Sequence, residues 1–139
     1  AAQLPGRFFQ PAAWLAVLSV PLTALGITLT HLNYAYWTEA LAAVVVSLAG
    51  WLGAAGYAQQ VFYKKISAGA RLCWAGTALC LTFSMALSAG YALRSYFPFE
   101  ALTIPEMRAW HGTANALGVA GLGLFGWLIA DFRIDNARH

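Results

Sequence analysis

The stretch IPEMRAWHGTANALGVAGLGLFGWLIADF, residues 104–132, decides how this chain folds. It exceeds the roughly 20 residues that a helix needs to cross a hydrocarbon core. Its start is marked. Thr103 precedes it, Pro105 suits a first helical turn, and Glu106 stands three residues after Thr103, where it can bond back to the cap. Inside it, His111 and Asn115 lie four residues apart, and so on one side of a helix. Ionisable and amide groups are costly in lipid, so their presence asks for a reason.

Three further stretches read the same way, at 11–32, 40–62 and 72–93. None alternates polar with apolar residues, and all are too long for strands. The composition agrees. Of 139 residues, 60% are hydrophobic and 9% charged, against about 25% charged in an ordinary globular domain. A soluble fold of this size has too little interior to hide so much apolar surface. The expectation is an all-α fold, an integral membrane four-helix up-down bundle, forming one transmembrane domain over residues 1–139. The first span is too long for a signal peptide and lacks a small-x-small cleavage site.

The basic residues give the orientation. Arg7, Lys64, Lys65, Arg71, Arg133 and Arg138 flank one set of span ends, and only Arg94 and Arg108 flank the other. The positive-inside rule places both termini in the cytoplasm, with the cytoplasmic membrane as host. These bases flank spans and form no nucleic-acid patch. Cys73 and Cys80 would sit about 10 Å apart along one helix, too far for a disulfide.

Small residues predict close packing: Gly50, Gly53 and Gly56 on the second helix, and Gly112, Ala116, Ala120 and Gly123 on the fourth. Pro21 predicts a bend in the first helix. Tyr34, Tyr36, Trp37, Tyr96 and Trp110 at one side, and Trp14, Tyr57, Tyr63, Trp74 and Trp127 towards the other, read mostly as interfacial belts.

Met107, His111, Asn115 and Gly118 share one side of the fourth helix, and His31 ends the first. If the first and fourth helices are neighbours, both imidazoles line one polar pocket at the non-cytoplasmic end. Histidine titrates near neutral pH and can give or take a proton. The expected catalytic residues are therefore His111, His31 and Glu106. The expected ligand contacts are Asn115, Asn33, Tyr34, Met107 and Trp110. For Glu106 the bland alternative is the helix cap alone, and for the histidines it is solvation or a bond to a neighbouring helix.

IPEMRAWHGTANALG resembles a motif of the YndJ-like membrane proteins, in which a proline and a methionine precede a His-Gly-x-x-Asn-Ala-Leu-Gly run. THLNYAYW resembles that family's other histidine motif, roughly His-Phe-His-Phe-Ala-Gly-Phe. Pro105, Met107, His111, Gly112, Asn115 and Gly118 match the second motif, and His31 and Ala35 the first. Asn33 stands where a second histidine is expected, and Tyr36 where glycine is. The resemblance covers most of the chain and the later part of a typical member. It implies architecture and the location of a site rather than an activity.

Three functions fit these residues. The first is a membrane enzyme that isomerises or cyclises a lipophilic small molecule by acid–base chemistry, with no cofactor. The second is a redox protein with His31 and His111 as axial ligands of haem b. The third is a non-catalytic subunit of a larger membrane assembly or a homo-oligomer. The expected partners are the lipid bilayer and a lipophilic small molecule, with no nucleic acid. The scattered candidates form no short metal-ligand motif.

Overall fold

The computed structural model describes residues 8–32, 37–62, 66–97 and 103–136. They form helices α1 (Phe9–His31), α2 (Trp37–Val61) and α3 (Ala68–Ala92), a 3-10 turn (Leu93–Ser95), and a fourth rod. That rod runs through α4 (Ile104–Thr113), a π-helical segment (Ala114–Gly121) and α5 (Leu122–Asn136). Four of the described helices are long and apolar enough to cross a membrane: Phe9–His31, Trp37–Val61, Ala68–Ala92 and Ile104–Ala130.

Local chemistry sets the helix starts. Ser67 caps α3, its hydroxyl accepting from the Ala70 amide at 3.2 Å. Thr103 caps α4 in a full capping box: its hydroxyl accepts from the Glu106 amide, and its own amide donates to Glu106 Oε2 at 2.9 Å. Orphan donors of the first turn are thereby satisfied from both directions. The helix α1 continues through Pro21, which brings no amide proton for the carbonyl one turn earlier.

The rods run alternately up and down. At one end Phe9, Tyr57, Trp74 and Trp127 meet, drawn from the first, second, third and fourth rods. Phe9 stands edge-on to Tyr57 at 5.2 Å, and Trp127 packs 5.0 Å from Trp74. Trp74 is fully buried and shares its cluster with Ala70 and Ala130. Tyr57, Trp74 and Trp127 thus pack inward rather than forming a belt. Trp14, Trp37, Tyr96 and Trp110 are exposed.

At the other end the first and fourth rods part. Helix α1 lies along α2, α2 along α3, and α3 along the fourth rod, while α1 has no comparable packing against the fourth rod. The expected first-to-fourth contact is therefore reduced to its aromatic end, where Phe9 and Trp127 are 6.4 Å apart. Small residues explain the pairing. A Cβ on Gly26 would come within 2.8 Å of the Thr38 carbonyl, so α1 and α2 touch backbone to backbone. Gly118 lies directly on the side chain of Cys80, and Gly126 on the Trp74 indole.

The second-helix glycines pack as expected, Gly50 on Met85, Gly53 on Leu81 and Gly56 on Phe9. The fourth-helix ridge is different. Gly112 faces open space, Ala116 and Ala120 are exposed, and of that set only Gly123 meets neighbours, Tyr57 and Thr77. The π segment is the physical reason. Its i→i+5 turns, such as the Leu122 amide to the Leu117 carbonyl, take one residue more than α turns. Faces extrapolated at α spacing through it therefore come out rotated.

Candidate functional site

Ser84 is fully buried on α3 and faces the fourth rod. Its hydroxyl donates to Asn115 Oδ1 at 2.9 Å. Ser84 Oγ also lies 2.8 Å from His111 Nδ1, and the Ser84 carbonyl oxygen lies 3.0 Å from that nitrogen. Asn115 Nδ2 stands 3.0 Å from His111 Nε2. One assignment satisfies every contact. The serine proton goes to Asn115, so Nδ1 carries its own proton and shares it between the two Ser84 oxygens. The Nε2 lone pair then accepts from the Asn115 amide. Both nitrogens of the imidazole are engaged. An unmade bond here would leave a polar group stranded among apolar helices.

The π segment starts at Ala114, one residue before Asn115. Thr77, also fully buried, ties it to α3 by donating to the Gly118 carbonyl at 3.3 Å while sharing its proton with the Cys73 carbonyl at 2.9 Å. Single π turns within α-helices frequently mark functional sites.

His111 also forms part of the wall of a cavity of about 670 Å³, where α1 and the fourth rod diverge. Its apolar members are mainly alanine, valine and isoleucine from α1 and α2. Its polar members are Ser19, Thr23, Glu39, Ser88, Tyr91 and His111. Arg94 Nη1 bonds Glu39 Oε1 at 3.3 Å, and its guanidinium stacks 4.0 Å over the Tyr91 ring. The ion pair leaves this end of the cavity with no net charge from those two groups.

The sequence candidates separate into three groups. His111 and Met107 line the cavity, and Asn115 holds the imidazole. His31 is exposed at the end of α1 and is not among the cavity's lining residues, Trp110 is exposed, and Glu106 is exposed within its capping box. Asn33 and Tyr34 lie outside the described residues. Ser84, Ser88 and Tyr91 are the residues that sequence reading missed. Their spacing by four and three marks a polar stripe on an otherwise apolar helix, which was the available signal.

A bis-histidine haem needs two imidazoles turned into one space, each with a free nitrogen. His31 is not among the residues that line the cavity with His111, so the two imidazoles are not turned into one space. The residues present do not fit that group.

Comparison with curated proteins and with solved structures finds no match. The model of the YndJ-like proteins matches residues 1–119, a range that includes His31, Ser84, His111 and Asn115. With most of its length matched, the chain belongs to the YndJ-like protein family.

Proposed function

We propose that this chain is an integral membrane protein, both termini cytoplasmic, that admits a lipophilic small molecule between α1 and α4 and moves a proton on it through His111. The reaction class is a cofactor-independent isomerisation or cyclisation. The observation that carries this reading is an imidazole fixed by Ser84 and Asn115 on the wall of a mostly apolar cavity.

The chemistry needs few parts. Rotation of the Asn115 amide frees the Nε2 lone pair to take a proton from a carbon of the ligand. The Nδ1 proton stays on the Ser84 oxygens, which support the imidazolium as an orienting acceptor does. The turned amide can then offer its oxygen to Nε2–H and its nitrogen to Ser84 Oγ, whose own proton turns from Asn115 to another acceptor. One amide flip thus gives Nε2 a partner in both protonation states. Return of the proton at another carbon shifts a double bond; attack of the carbanion on an internal double bond, followed by that return at the carbon left with the electron pair, closes a ring, in both cases with no net change in atoms or electrons.

The test is conversion, without mass change, of components of a membrane lipid extract by the purified protein. His111→Gln keeps volume and hydrogen bonding but loses the titrating nitrogen. It should stay folded and lose about two or more orders of magnitude in rate, with Asn115→Ala less affected. Full turnover by a folded His111→Gln protein would remove His111 from the mechanism. Co-purification with other membrane proteins, together with that result, would favour a non-catalytic subunit of a larger assembly.

A further inference from the structure

The cavity beside His111 does not end at Ser19 and Val46. A second cavity of about 380 Å³ shares both residues and continues along α1 to Phe9. End to end, the two line α1 from Ile27 to Phe9, a trough of about 27 Å at the helical rise of 1.5 Å per residue if Ser19 and Val46 leave them joined. The bilayer's hydrocarbon core is about as deep, roughly 30 Å.

The deeper part is floored by small or flexible residues, Ala12, Ala13, Ala16, Ala49, Gly50 and Met85. Its one hydroxyl, Ser19, is already bonded to the Ala16 carbonyl at 2.7 Å. The other polar side chains, Thr23, Ser88, Tyr91 and His111, line the other cavity, where the Glu39–Arg94 pair cancels its own charge. The trough is amphiphilic along its length, with a polar end of no net charge from that pair and an apolar tail.

The chemistry of the wall decides among occupants: the deep part offers only apolar contact, and the polar side chains lie at one end, which suits a single hydrocarbon chain carrying one polar head. We infer that the trough binds one long-chain lipophile with an uncharged polar head, a hydroxyl or carbonyl, held at the His111 end and its chain laid along α1 to Phe9. This inference rests on the lipophile-site reading above and names its ligand class. Straight acyl and branched isoprenoid chains share this chemistry, and the probes separate them.

The experiment uses the full chain in phosphatidylcholine nanodiscs with a trace of hexadecanol carrying a photoactivatable diazirine near its chain end. Unlabelled hexadecanol, geranylgeraniol and octanol compete. Labelling should saturate and map to α1 around Ala12 and Ala16 and to α3 around Met85. Compared at equal concentration in the bilayer, where the apolar transfer from water has already been made, octanol should still compete more weakly than hexadecanol because its chain is too short to reach the deep contacts. The better of hexadecanol and geranylgeraniol identifies the chain type. Ala16→Phe, which fills the deep trough alone, should weaken hexadecanol about tenfold or more, and Leu72→Phe on the outer face should not. Helical circular dichroism and monodisperse elution establish that each variant is folded. Saturable labelling near Met107 that ignores Ala16→Phe would overturn the trough while leaving the lipophile site standing. Absence of saturable labelling would remove both. Non-saturable labelling spread over Leu72, Leu79 and Leu124 would make the trough ordinary annular lipid, and cross-linking of a second copy into it would make it an interface. Either result overturns the inference.

Discussion

Gly118→Ala should separate α3 from the fourth rod, and the geometry says how it can be rescued. A Cβ at Gly118 falls on both Sγ and Cβ of Cys80, while the Cys80 Cα stays at 3.9 Å, an ordinary contact. The site is buried, with Thr77 bonded to the Gly118 carbonyl on the same face. Neither partner is a flexible side-chain tip, so backbone must move. Overpacking of this kind costs about 1–3 kcal/mol. That is a factor of roughly 5 to 150 in the folding equilibrium. Cys80→Ala removes Sγ but keeps the colliding Cβ, so it should recover little. Cys80→Gly removes both and should restore much of the loss. The assay is unfolding in mixed micelles with increasing sodium dodecyl sulfate, followed by tryptophan fluorescence, as a double-mutant cycle. Equal rescue by Cys80→Ala and Cys80→Gly, or no destabilisation by Gly118→Ala, would refute this account of the contact.

Ser84→Ala should cost about 1 kcal/mol, near the upper part of the range for interhelical bonds in bilayers. Nitrogen-15 spectra should still show the Nδ1–H tautomer, since the Ser84 carbonyl remains; a change of tautomer would show that the hydroxyl sets it. Gln60 is fully buried, and neither of its amide atoms has a hydrogen-bond partner among the described residues. Gln60→Leu should therefore be neutral or stabilise by up to ~1–3 kcal/mol in the same unfolding assay, and a clear loss would mean that the amide is satisfied by internal water. With Cys73 and Cys80 replaced by alanine, a cysteine at position 67 should react with impermeant maleimide from the cytoplasmic side only, and one at position 98 from the opposite side only. The reverse pattern would invert the proposed orientation.

The run of apolar residues was enough for the helices, because their number and length depend on local hydropathy alone. The Thr103 capping box was legible for the same reason: its partners are three residues apart. So was the shared side of His111 and Asn115, one turn apart on one rod. What those two residues bond was not legible. Ser84 reaches them from another helix, and one-dimensional spacing says nothing of how two helices rotate to face each other. The π segment hid the packing face of the fourth rod, since it changes the residues per turn between Gly112 and Gly123 without any mark of composition. Adjacency of the first and fourth helices was inferred from connectivity, whereas contact between helices in lipid depends on small residues meeting. Gly26 meets the backbone at Thr38 and Gly118 meets Cys80, but no such pair joins α1 to α4. Sequence by itself thus determined four apolar helices and one polar turn. Tertiary structure alone decided that the turn closes on Ser84 and that α1 stands away from it, because both depend on which surfaces can approach closely.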